Sequence, residues 1–346
     1  MTDSSTPGSL YFITERDPFG DPNGSYVKIG LVRENETGRS SFDRLLEHQT
    51  GNPRILVVAD SLTTTAPISE LEASVHQQLA RHRVSGEWFR AGGEGIRPFV
   101  DVAEAIRREL EHLHTHSSAL ETLAATEDTG EELLLDSEAN DMHHEMVGVV
   151  RAIKERKQKL NRVALELQSL GGTETSDIEG ICGHHYTNAG RRFDSSGFAQ
   201  AYPDLISELG SSRIKSRFSL RQAPTLTPSA DMELLKELCA AQSIAGSKPL
   251  KLARSSRAEA LHADWIELHS GLHPLKQKED LLEARMKLLC GPAAAVKGIC
   301  SWKRTTIRTI SQKELLPSHQ ELVDAFTKPT ASSWSFKVNP WRPYRF

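Results

Sequence analysis

Two things are scarce in this 346-residue sequence: long apolar runs and paired cysteines. No stretch approaches the roughly 20 apolar residues that a membrane-spanning helix needs, so no membrane partner is expected. The four cysteines, Cys182, Cys239, Cys290 and Cys300, show no CxxC spacing. Neither a disulfide framework nor a zinc knuckle is indicated, and reduced, mostly buried thiols are expected. The opening MTDSSTPGS has neither the basic end nor the apolar core of a secretory leader, which leads to a cytoplasmic expectation. What remains is 38% hydrophobic and 25% charged, a globular composition with length for two or three domains.

The net charge of -4 conceals a division along the chain. Residues 1–145 carry 12 Lys and Arg against 26 Asp and Glu, a balance of -14, whereas residues 146–346 carry 30 against 20, a balance of +10. A basic half suits a polyanion, because each neutralised phosphate releases counterions. Nucleic-acid contact is therefore expected of the second half.

Composition also marks boundaries. ATEDTGEELLLDSEANDM (125–142), after the helical pattern of PFVDVAEAIRRELEHLHTH, reads as an acidic linker. RQAPTLTPSADME (221–233) reads as a break before a helix capped by Ser229 or Asp231. The segments on either side of it correspond. Each has a long helix, the tripeptide GIC (180–182 and 298–300), a polar strand, a short helix near Leu205 or Leu322, and an alternating strand, RFSLR or SWSFKV. The period of 118 residues, Gly180 to Gly298, is too long for a solenoid and indicates a duplicated unit of helix plus small antiparallel sheet. In GICGHHYTN the adjacent His184 and His185 splay apart with no second ligand pair, so they read as exposed surface rather than zinc ligands. DMHHEM reads as a helix start.

The first hundred residues read β-β-α-β-α. SLYFITE and SYVKIGLV are strands joined by the turn DPFGDPNG, SSFDRLLEHQTGNP is a capped helix stopping at Gly51, RILVVAD is a strand, and ISELEASVHQQLARHRVSGEWF is an amphipathic helix with an aromatic end. Lys28 stands out, a charge between Val27 and Ile29 in an apolar strand. It either points to water or faces a site.

Tyr11, KIG at 28–30, RLLEHQTGNP from Arg44, LEASVH from Leu71 and GEWF from Gly86 occur in one order over about ninety residues, a pattern that resembles the GIY-YIG nuclease superfamily. The expected fold class is thus α+β, with a GIY-YIG-type nuclease domain at 1–95, a helix and acidic linker at 96–140, and two related helix-plus-sheet repeats at 141–222 and 230–346. GICSWKRTTIRTI and RRFDSSGFAQAYPDL give the repeats a looser resemblance to the C-terminal region of YqaJ-type phage recombinases, which implies an accessory role at most.

The first resemblance implies a metal-dependent endonuclease acting on DNA, double-stranded rather than single-stranded, in phage defence or restriction. It makes Tyr11 the general base and Glu72 the ligand of one Mg²⁺ or Mn²⁺. A phenol with a reference pKa of about 10 needs nearby positive charge, so Lys28 is expected to lower the pKa of Tyr11 or orient the water. Arg44 is expected to grip a nonbridging phosphate oxygen. His76, one turn after Glu72, either holds a phosphate or water or is simply packed. Glu70 is read as surface, Glu87 as a residue that shapes the site or caps a turn, and Trp88 and Phe89 as core. A homo-oligomer or a defence-system partner is compatible with this reading. The competing class is an inactive nucleic-acid-binding or partner-docking protein on the same fold.

Overall fold

The computed structural model describes residues 6–16, 25–33, 40–50, 52, 54–134, 137–242 and 248–341. The expected turn at 17–24 and the helix stop at Gly51 lie outside the described residues. The architecture is α+β with several small sheets.

Strands β1 (Gly8–Glu15) and β2 (Tyr26–Arg33) pair antiparallel, with Tyr11 opposite Gly30 and Ile13 opposite Lys28. They are followed by α1 (Ser41–Gln49), β3 (Leu56–Thr64), α2 (Ile68–Gln78), two short strands β4 (Arg83–Ser85) and β5 (Trp88–Arg90), and α3 (Arg97–Ala124). The sheet order is β3-β1-β2-β5-β4. Because side chains alternate across a strand, Leu10, Phe12, Val27 and Ile29 share one face. There they are buried with Leu71 and Val75 of α2 and Phe99, Ala103 and Ile106 of α3. The opposite face carries Tyr11, Ile13, Val32 and Leu56, against which Leu45 of α1 packs. Lys28 belongs to this second face and is only 7% exposed, so it does not point to water.

Helix α3 links two cores: its first turns pack on the N-terminal sheet, and Leu120, Leu123 and Ala124 pack against the C-terminal one. Next come β6 (Glu132–Leu133), α4 (Ser137–Ser169), β7 (Ser176–Ile178), β8 (Cys182–Thr187), β9 (Gly190–Phe193), α5 (Ser195–Ala201), α6 (Pro203–Leu209) and β10 (Ser211–Leu220). The second set is α7 (Ala230–Ala240), β11 (Leu250–Leu252), α8 (Ser256–Ser270), α9 (Leu272–Cys290), β12 (Ala295–Val296), β13 (Cys300–Thr309), α10 (Gln312–Leu315), α11 (Gln320–Ala325), β14 (Thr327–Thr330) and β15 (Ser333–Val338).

The 118-residue period appears in the pairing itself. Leu220 lies opposite Cys300, and Val338 opposite Cys182. Arg221 donates its amide to Ile299 O and Asn339 donates its amide to Ile181 O, both at 2.8 Å. Gly180 and Gly298 hold φ values of 71° and 76°, a left-handed turn that suits a residue without Cβ. Yet the repeats are not separate domains. The last strand of each pairs with the GIC strand of the other, β10 with β13 and β15 with β8, so a boundary at 222/230 divides no folded unit. Each exchanged sheet closes on its own core, β10–β13 with α4 and α9, and β8–β15 with the end of α4 and α8.

Three further expectations change. The acidic segment is not a free linker: β6 pairs with β12, and Asp128 and Glu127 accept the amides of Arg304 and Thr306, blocking an open edge of β13. His184 is not exposed. Its side chain is 4% accessible, with Nδ1 3.2 Å from Asp177, because it shares a strand face with the buried Cys182, two residues before it. His143 sits inside α4 rather than at a helix start, its Nε2 3.0 Å from Arg221 O. The four cysteines are free and buried. Among the described residues no helix is long and apolar enough to cross a membrane.

Candidate active site

The site forms where the sheet runs out. Strand β5 pairs with β2 only at Tyr26, Val27 and Lys28, so beyond Lys28 the edge of β2 is taken up by other partners. Ile29 donates its amide to Glu87 O at 3.0 Å, and its carbonyl is 2.9 Å from His76 Nε2. Helix α2 therefore lies along this edge, and Glu72, one turn before His76, reaches a region where groups from both faces of the sheet meet.

Helix α1 closes the other side. Ser40 caps it: its hydroxyl accepts the Asp43 amide, while the Asp43 carboxylate accepts the Ser40 amide. Arg44 and His48 follow four residues apart and share one helical face. Much of the QTGNP motif is a fastening. The Gln49 amide donates to Asn52 O and Arg54 O and accepts from the Leu56 amide, which fixes the path from α1 into β3.

Tyr11 is 3% exposed, and its ring lies across Gly30. Lys28 does not activate it. The Lys28 ammonium is bound to Glu87 at 2.5 Å, and Tyr11 is pushed up to about 12 by burial and then by the charge of Glu87, with Arg44 opposing. The expected lowering of its pKa is thus reversed, because burial first, and then the local carboxylates, outweigh Arg44. Burial also works against the Glu87 carboxylate, but the hydrogen bond and charge of Lys28 hold it below the ordinary range.

Glu72 is half-buried and makes no hydrogen bond or ion pair among the described residues. Burial, then the neighbouring Glu87, raises it to about 7, with Arg33, Lys28 and Arg44 opposing. His48 is held below the ordinary histidine value by burial and then by Lys28. His76 is lowered by burial, although its bond to Ile29 O opposes this. Two buried nitrogens here, Arg44 Nε and His48 Nε2, have no hydrogen-bond partner. Native structures rarely leave such atoms unmatched; a ligand oxygen would accept from Arg44 Nε–H, and a water would donate to an unprotonated His48 Nε2.

Tyr11, Lys28, Arg44 and Glu72 are therefore brought within electrostatic range of one another. His76 is also within range of Lys28 and Glu87, but its ring packs on Phe89 at 5.2 Å and faces a cavity of about 300 Å³ shared with Arg83, His269 and Trp341. Glu70 is exposed and Phe89 fully buried. Sequence reasoning missed two members, His48 and the full role of Glu87. The spacing of four from Arg44 to His48 was the available signal for the first.

A cation fits the donor chemistry at Glu72, a partnerless carboxylate whose proton affinity is raised by a second carboxylate. Among the described residues no group of three or more His, Cys, Asp or Glu could hold a metal. Comparison with protein-family models, curated proteins and solved structures found no match.

Proposed function

We propose that this chain is a GIY-YIG-type, metal-dependent endonuclease that hydrolyses phosphodiester bonds in DNA. One observation carries the reading: two buried nitrogens without a hydrogen-bond partner, Arg44 Nε and His48 Nε2, stand in one electrostatic cluster with Glu72, whose carboxylate has no partner among the described residues. This combination accepts an anionic oxygen and a cation together.

In this mechanism Arg44 donates Nε–H to a nonbridging phosphate oxygen and stabilises the charge that grows there. His48, kept neutral near pH 7, takes a proton from the attacking water at Nε2. The new phosphorus–oxygen bond forms as the bond to the leaving oxygen breaks, and the released alkoxide is protonated from bulk water. Tyr11 keeps its proton, so it orients the water by donating a hydrogen bond and is not the base. Lys28 holds Glu87 in place and limits repulsion between Glu87 and Glu72. Mg²⁺ or Mn²⁺ on Glu72, completed by water and phosphate oxygens, would supply further positive charge at the phosphate.

The raised pKa of Tyr11 favours a second reading, a nucleic-acid-binding protein with an inert site. A pH series separates the two. Glu72 must lose its proton to take a cation, so cleavage should rise through a midpoint near 7 and that midpoint should fall as Mg²⁺ is increased. A rate that is flat from pH 5.5 to 8.5, or a midpoint insensitive to Mg²⁺, would remove Glu72 from the reaction. No cleavage at any pH would support the inert site.

A further inference from the structure

The longest strand pairing of the C-terminal half joins β10 to β13 over ten residue pairs. Its base is fixed in the core. Trp302 is buried, donates Nε1–H to Ser216 Oγ at 2.7 Å and stacks with the buried Arg304 at 4.1 Å. The opposite face carries Arg213, Lys215 and Arg217 on one strand, with Lys303 directly across from Arg217. All four are exposed, and none forms an ion pair among the described residues. The twenty paired residues include no Asp or Glu. The nearest acids along β13, Glu127 and Asp128, are occupied with its backbone amides.

The duplication supplies an internal control. The matching ribbon, β8 with β15, has the same register at an offset of 118. Where the first ribbon has Arg213, Lys215, Arg217 and Lys303, the second has Ala331, Ser333, Ser335 and His185. The fold therefore does not demand cations at these positions, since its own copy does without them.

We infer that the β10–β13 ribbon is the surface that holds duplex DNA for the nuclease site, an inference that rests on the nuclease reading above. Side chains two apart on a strand repeat every 6.6 Å or so, giving a row of cations along one face. The pair is the outer part of a four-stranded sheet, but β12 meets β13 only at Cys300 and Ser301. Past that point it is a two-stranded ribbon, which the major groove of B-form DNA admits and the deep, narrow major groove of A-form RNA excludes. The exposed face has no aromatic side chain on which unpaired bases could stack, because Phe218 and Trp302 lie on the core face. These features select duplex DNA over RNA and over single strands. The ribbon also resolves a conflict in the charge pattern: a first half with a balance of -14 repels the substrate that its site must cut, so the grip has to come from elsewhere.

The test measures binding of the full chain to a duplex oligonucleotide in EDTA, across a salt series. The variant R213Q/K215Q/R217Q is compared with R151Q/K157Q/K159Q, which removes the same charge from exposed positions of α4. The ribbon variant should lose at least tenfold in affinity at 0.1 M salt. Its log–log salt slope should fall by about 2.7, or about 0.9 for each lost phosphate contact. The α4 variant should stay within twofold. If the triple variant fails to fold, Lys215→Gln alone should lower the slope by about 0.9. Equal losses in both triple variants, an unchanged ribbon variant, or tighter binding to duplex RNA would overturn the inference. Mg²⁺-dependent cutting with ribbon-independent binding would defeat the ribbon alone, and ribbon-dependent binding without cutting would defeat the nuclease reading alone.

Discussion

Glu72→Gln is expected to abolish cleavage while making the metal-free protein more stable at pH 8. The carboxylate is raised to about 7 by burial and by Glu87, so its folded-state pKa lies above the unfolded value. The stability linked to its protonated form is fully present below about pH 4.3 and is lost as pH rises through about 7. Glutamine has no charge to desolvate and escapes this loss. With a discount for solvent screening, the gain is on the order of 1 kcal/mol, seen as a higher Tm. Mg²⁺ should then raise the Tm of the wild type, as any ligand of the folded state does, and leave that of Glu72→Gln unchanged. A variant that is destabilised at pH 8, or that still gains Tm from Mg²⁺, would show that Glu72 is an ordinary structural carboxylate.

Gly30→Ala should be strongly destabilising in the N-terminal domain. A Cβ at Gly30 would stand 2.5 Å from Tyr11 Cζ and 3.0 Å from Cε2, and closer still to the phenol oxygen. The ring is buried and packed in a cluster with Ile13, Val32, Leu56 and Leu45, which limits its retreat. Overpacking of this kind costs about 1–3 kcal/mol, and a value near 3 is expected because backbone and ring are both confined. A double-mutant cycle locates the cause: in a Tyr11→Ala background, Gly30→Ala should add little. A cost below about 0.5 kcal/mol in the wild-type background would mean that the ring does not need the bare glycine.

These two residues show what the sequence disclosed. Gly30 and Glu72 were marked by motifs, and the order of strands and helices in the first ninety residues followed from alternating and helical spacing. Lys28 was marked as an anomaly, and its direction follows from period-two alternation once Tyr11 is opposite Gly30. What Lys28 does there was not legible. Its partner Glu87 arrives through the β5 pairing, and a glutamate in a G-E-W-F turn gives no sign of where it points. The direction of the Tyr11 shift was likewise not legible: the motifs reveal the cations but neither the burial of the phenol nor the carboxylates around it. His184 was legible in principle, two residues from the buried Cys182 on one strand. The strand exchange was not, because a repeat establishes which segments are equivalent and leaves open which copy each strand joins.

Supercoiled plasmid incubated with the full chain, in Mg²⁺ and separately in EDTA, tests the central claim most directly. The account predicts nicked or linear product in Mg²⁺, none in EDTA, and none with Glu72→Gln in either buffer. Plasmid left intact by the wild type in both Mg²⁺ and Mn²⁺, or cut equally by Glu72→Gln, would contradict it.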